Sequence, residues 1–175
     1  MIEIRWHARA GQGAKSAAHL FAQAALRAGK SAQAFPEYGP ERRGAPVQAY
    51  TRIDDRPVRR HDSVTAPRAV VVLDPSLLRE PTVVAGIGQG TVLLADVDEP
   101  LSLDGTRIVP VPAAELAAKA GTKYVNLVMA GALAGALREP PLENVEEAAA
   151  ELLGGKAGAA AARDAVREGY RWLTH

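Results

Sequence analysis

No cysteine occurs among the 175 residues, which excludes disulfides, thiolate-held iron–sulfur clusters and CxxC redox chemistry within this chain. Any electron transfer linked to it takes place elsewhere. Aromatic residues are scarce at 5%, so stacking on single-stranded nucleic acid is poorly equipped. Charge of one sign is also missing: 21 Lys+Arg stand against 20 Asp+Glu, a formal +1 that supplies no global attraction to nucleic acid or an anionic membrane. No run approaches the ~18 apolar residues that span a bilayer, and the start Met1-Ile2-Glu3-Ile4 has no basic stretch followed by an apolar one. A soluble cytoplasmic protein without nucleic-acid or membrane partners is the expectation. His7, His19, His61 and His175 show no paired metal-ligand spacing, and no Gly-x-Ser-x-Gly elbow is present, so neither a metal site nor a catalytic residue is assigned.

What the chain has in quantity is glycine, 16 residues, and alanine, a composition for close-packed helices and sheet. Its length suits one domain, 1–175, with a substantial core. The first 29 residues organise the rest. Ile2, Ile4 and Trp6 alternate with polar neighbours, the period of a strand, and Ala14 to Ala28 has high helix propensity before Gly29 stops it. Between them runs Ala8-Arg9-Ala10-Gly11-Gln12-Gly13. A strand passing through paired glycines into a helix turns the first helical N–H groups outward, with no Cβ at Gly11 or Gly13 to block an anion.

Two phosphate motifs fail on this loop. A Walker A loop needs Gly-Lys-Ser contiguous, and Ala14 separates Gly13 from Lys15-Ser16. The dinucleotide fingerprint G-x-G-x-x-G would need its third glycine at Ser16, and the nearest acidic candidate, Glu37, lies beyond Pro36. On the loop alone, an anion site and a tight turn without ligand both stand. Glu37-Tyr38-Gly39-Pro40-Glu41-Arg42-Arg43-Gly44-Ala45-Pro46 is the second informative stretch, where Arg42 and Arg43 either hold an anion by bidentate hydrogen bonds or form a solvated basic pair. His7, ending the first strand beside the glycine loop, reads as a structural hydrogen-bonding group in preference to a catalytic one.

Further strands are expected at Ser31–Phe35, stopped by Pro36, and at Val47–Ile53, with Pro57–Arg60 a short edge strand. Buried parallel strands are expected at Ala69–Asp74 and Thr91–Asp96, with Asp74 capping a short helix that begins at Pro75, and a last strand at Arg107–Val111. Gly86–Gly90 reads as a turn. Helices are expected at Pro112–Ala120, Tyr124–Leu137, Leu142–Leu153 and about Ala157–Leu173. Tyr124–Leu137 is apolar almost all round with Gly131 and Gly135 four apart, the mark of a buried helix closely approached by a neighbour; its one early polar residue, Asn126, reads as satisfying local backbone groups in preference to touching a ligand. The fold class is α/β, a three-layer Rossmann-like domain with a mostly parallel sheet and helices on both faces.

Trp6 to Ala14, Ala32 to Pro36, Tyr38 to Val47 and Thr51 to Asp54 closely resemble the gamma subunit of the pyruvate:ferredoxin oxidoreductase family of 2-oxoacid:acceptor oxidoreductases, and Asn126 to Gly131 with Gly135 is similar to that family's late Asn-and-glycine helix. The family usually carries glycines where this chain has Ala8 and Ala10. The resemblance implies one component of a multi-subunit enzyme that oxidatively decarboxylates a 2-oxoacid, by default pyruvate, to acyl-CoA and CO2 with reduction of ferredoxin. It implies partner subunits of alpha, beta and delta type, which carry thiamine diphosphate and the iron–sulfur clusters, and a shared coenzyme A site. On this chain Gly11, Gln12, Gly13, Lys15, Arg42 and Arg43 would hold the coenzyme A phosphates. The competing expectations are a purely structural interface subunit and, more remotely, a free-standing dinucleotide enzyme.

Overall fold

A computed structural model describes residues 1–37, 44–103 and 105–175. Seven strands form one sheet: β1 (Ile2–Arg9), β2 (Ser31–Glu37), β3 (Pro46–Asp54), β4 (Ala69–Val72), β5 (Val92–Asp96), β6 (Leu101–Leu103) and β7 (Thr106–Val111). Their order is β2-β3-β1-β4-β5-β7-β6. The neighbours β1, β4, β5 and β7 are parallel, and antiparallel pairs flank them at both edges. The sheet is thus mostly parallel at its centre, as the apolar runs of β4 and β5 predict.

The helices are α1 (Ala14–Arg27), α2 (Pro81–Val84), α3 (Ala113–Lys119), α4 (Val125–Leu137), α5 (Leu142–Leu153) and α6 (Lys156–Thr174), with a 3-10 helix at Pro75–Arg79. They cover both faces unequally. On one face α1, α3, α4, α5 and α6 enclose the large core around Ile4, Trp6, Val71, Leu94, Leu127 and Leu133. On the other, the 3-10 helix and α2 supply Leu77, Leu78 and Val83 to a smaller cluster with Val70, Val72 and Leu93.

Two local devices set α1 against the sheet. Trp6 donates to the Thr51 hydroxyl at 3.0 Å, and that hydroxyl donates to the Ala18 carbonyl at 3.0 Å, linking β1, β3 and α1 through one oxygen. Trp6 also meets Phe21 edge-on, with ring centroids 5.7 Å apart. These contacts hold the body of α1 on the sheet. Next, α4 is buried along nearly its whole length and crosses α6 at glycine: a Cβ at Gly131 would lie 1.9 Å from the Val166 carbonyl oxygen, and one at Gly169 would lie 1.9 Å from that of Val128. The close approach expected at Gly131 is found, and Gly169 completes it from the other helix.

Some expectations are corrected. Pro36 does not stop β2, which continues to Glu37; as an edge strand it tolerates a residue without an N–H. Pro57–Arg60 forms no strand. That segment is held instead by Arg52, a fully buried guanidinium that donates to the Arg60 and Asp62 carbonyls at 3.2 and 2.7 Å and to Glu3 at 2.8 Å. The short strand β6 and the single turn of α2 carry too little periodicity to be read from sequence. Among the described residues no helix is long and apolar enough to cross a membrane.

Candidate anion-binding site

The loop between β1 and α1 turns on two glycines with positive φ, +97° at Gly11 and +89° at Gly13, and Gly13 is the N-cap of α1. Ala8 and Ala10, standing where glycines are usual in the family that the sequence resembles, have no positive φ, so alanine is accommodated without strain. Within the turn the Gln12 amide donates to the Arg9 carbonyl at 3.1 Å, and the Ala10 amide to Ala45 at 2.9 Å. The Ala17 amide takes up the Gly13 carbonyl at 2.9 Å, closing the first turn of α1. The amides of Ala14, Lys15 and Ser16 precede that bond and have no helical partner to reach.

Beside this helix start lies an open cavity of about 310 Å³. Gly11, Gly13, Ala14, Lys15 and Ser16 line one wall, while Pro36, Glu37, Val47 and Gln48, at the adjoining ends of β2 and β3, line the other. The Gly11 wall is unobstructed: an added Cβ there would meet nothing within 4 Å. Lys15 is exposed. Helix-start amides next to an ammonium group are chemically suited to a phosphate or carboxylate. Glu37 on the far wall accepts the Tyr50 hydroxyl, and burial together with that bond pushes the Tyr50 phenol up to about 12.

The structure therefore brings Gly11, Gln12, Gly13 and Lys15 together around one loop, but Gln12 faces inward. Its Oε1 accepts from the Arg9 amide at 2.7 Å and its Nε2 donates to Asp74 at 2.8 Å. Its backbone N–H and one N–H of its side-chain amide are thus taken up within the protein. Arg42 and Arg43 lie outside the described residues.

Two supports of the loop were not legible in sequence because they join residues far apart in the chain. The first is a polar cluster at the ends of β1 and β4. Asp74 accepts from the Ser76 amide and hydroxyl at 3.0 and 2.6 Å, while Arg9 donates to the Ser76 hydroxyl at 3.0 and 2.7 Å and to the Gly44 carbonyl at 3.0 Å. Burial opposes ionisation of Asp74, but the bonds from Ser76 and Gln12 and the nearby Arg9 charge outweigh it and hold the carboxyl below its ordinary range. The second is Asn126 at the start of α4, buried, whose Nδ2 donates to the Gly13 carbonyl at 3.4 Å. It satisfies a backbone group, but one 113 residues away instead of the local one expected.

His7 is also buried, on the opposite sheet face from Trp6. Burial, with the Arg5 guanidinium nearby, pushes its imidazole down to about 3, so it is neutral at physiological pH; its Nε2 has no hydrogen-bond partner among the described residues. No group of three or more potential metal ligands occurs among the described residues.

The model of the pyruvate ferredoxin/flavodoxin oxidoreductase family matches residues 3–172. The chain belongs to that family. The gamma subunit common to the pyruvate and ketoisovalerate oxidoreductases of Thermococcus litoralis is 43% identical over 179 residues, spanning 96% of this chain and 97% of the relative. The crystal structure of the pyruvate oxidoreductase subunit PORC from Thermotoga maritima superposes with a TM-score of 0.83 at 37% identity, covering 97% of this chain and 95% of the other. A 2-oxoglutarate:ferredoxin oxidoreductase from Magnetococcus marinus, solved with 2-oxoglutarate, coenzyme A and succinyl-CoA bound, shares the fold at a TM-score of 0.81 and 20% identity over 98% of this chain and 31% of that one. Membership in the pyruvate ferredoxin/flavodoxin oxidoreductase family makes the chain a gamma-type component of an oxidoreductase, not a free-standing dinucleotide enzyme. The α/β fold expected from the sequence is the fold of these relatives.

Proposed function

We propose that this chain is the gamma subunit of a cytoplasmic pyruvate:ferredoxin oxidoreductase and contributes the phosphate-binding wall of its coenzyme A site. The cavity at the start of α1 carries this reading, because it presents backbone amides and Lys15 on one open wall. Coenzyme A, when bound, supplies the thiol that accepts the acyl group. This chain's part is to hold the cofactor's phosphates: the Ala14, Lys15 and Ser16 amides donate to them, Lys15 neutralises charge, and Gly11 allows close approach. Arg42 and Arg43 belong to the same proposal as a further source of positive charge. A chain without cysteine offers no thiolates for iron–sulfur clusters, so alpha-, beta- and delta-type partners carry these together with thiamine diphosphate and deliver electrons to ferredoxin.

The polar cluster of Arg9, Gln12, Asp74 and Ser76 favours a second reading, an interface subunit whose loop is built only to be rigid. The two readings part on Lys15→Ala in the assembled enzyme. A ligand-binding loop gives a KM for coenzyme A raised about fivefold or more with kcat and the KM for pyruvate unchanged. An unchanged KM for coenzyme A rules the ligand role out and leaves the interface role.

A further inference from the structure

The Gly13 carbonyl ties the cavity's amide wall to the start of α4. It accepts two hydrogen bonds, from the Ala17 amide at 2.9 Å and from Asn126 Nδ2 at 3.4 Å. A carbonyl has two lone pairs, so this oxygen is saturated. In a planar trans peptide the C=O and the following N–H point in opposite directions. With the Gly13 oxygen drawn inward by both donors, the Ala14 N–H must point away from the helix body, beyond its N-terminus and toward the cavity that Ala14 lines. Hydrogen bonding to the carbonyl also polarises the peptide and makes that N–H a stronger donor.

Steric fit reinforces the electronic argument. Asn126 occupies the place a side chain at position 13 would take, since a Cβ built on Gly13 would lie 2.7 Å from Asn126 Nδ2 and 3.0 Å from its Cγ. The backbone of Asn126 is held in place, because it opens α4, the helix clamped to α6 by the glycine crossing at Gly131 and Gly169. Its orientation is fixed by chemistry as well: the acceptor at Gly13 demands the NH2 end of the side-chain amide.

We propose that Asn126 is a positioning residue for anion binding: by holding the Gly13 carbonyl inward it aims the Ala14 N–H at the phosphate of the bound ligand. This rests on the coenzyme A reading above and adds a residue that lies behind the wall rather than on it.

The test uses Asn126→Ala and, should that variant fold poorly, Asn126→Ser, whose hydroxyl is too short to span the gap. In the isotope-labelled full chain without ligand, the Ala14 amide resonance moves in the variant while resonances of α5 stay in place. In the assembled oxidoreductase the KM for coenzyme A rises about two- to tenfold with kcat unchanged, the loss expected for one hydrogen bond. An unmoved Ala14 resonance overturns the inference. So does an unchanged KM in a preparation where Lys15→Ala raises it, which leaves the coenzyme A reading intact; an effect from neither variant overturns both.

Discussion

Gln12 and Asp74 meet across the seam between β1 and β4, where Gln12 Nε2 donates to Asp74 Oδ2 at 2.8 Å. This seam is where the chain's connections diverge: β1 leads through α1 on one face to the edge strand β2, and β4 leads through the 3-10 helix and α2 on the other face to β5. Open α/β sheets bind ligands at such a point, outside the carboxyl ends of the strands. Here the point itself is filled by Gln12, Asp74, Ser76 and Arg9, and the open cavity lies to one side, toward the ends of β2 and β3. Gln12→Ala is therefore expected to act on the loop and not on the ligand directly. It lowers stability by about 1 kcal/mol, read as a shift of the urea midpoint, and raises the KM for coenzyme A less than Lys15→Ala does.

Gly13 tests the backbone geometry. At φ +89° an alanine is strained whatever the space, and its Cβ also collides with Asn126. Gly13→Ala costs about 1–3 kcal/mol. In the double variant with Asn126→Ala the collision disappears and the backbone strain remains, so the urea midpoint falls less than the two single shifts summed.

The α4–α6 crossing is less forgiving, because the obstacle at Gly131 and Gly169 is backbone on a packed helix rather than a side chain that can turn. Gly169→Ala forces the helices apart and costs about 3 kcal/mol by overpacking, measurable by thermal or urea unfolding. A midpoint within error of the parent would show that the helices do not cross at this separation.

His7 gives the fold a pH dependence with a known sign. Its imidazole is held down to about 3 by burial and Arg5, whereas the unfolded chain titrates near 6.5. Above pH 6.5 both states are neutral there and the contribution to stability is full. Between pH 6.5 and 3 the unfolded state binds a proton that the folded state refuses, so stability is lost as pH falls, by up to about 1.4 kcal/mol per pH unit. His7→Gln, with no titration in that range, shows a shallower loss of stability between pH 6.5 and 4.5 than the parent.

Most of the architecture is legible from periodicity and punctuation. Ile2, Ile4 and Trp6 announce β1, the runs at Val70 and Leu93 announce the central parallel strands, and Gly131 with Gly135 announces a closely packed α4. Local chemistry is legible too: Asp74 does accept from the Ser76 amide at the start of the 3-10 helix, as its place before Pro75 suggests. What the sequence does not show is which distant groups a side chain selects. Gln12 stands between two glycines and reads as a ligand contact, yet Asp74, 62 residues on, takes its amide. Asn126 reads as a local backbone partner, yet it reaches the glycine loop. Pairings of this kind are set by tertiary packing, and no spacing rule encodes them.

On the proposed function, Lys15 faces a coenzyme A phosphate in the assembled oxidoreductase. The most direct measurement is acylation footprinting of its lysines across a coenzyme A titration. The account predicts that labelling of Lys15 falls with a half-effect at the KM for coenzyme A, while exposed Lys156 at the start of α6 is labelled throughout. Labelling of Lys15 that stays constant up to saturating coenzyme A contradicts it.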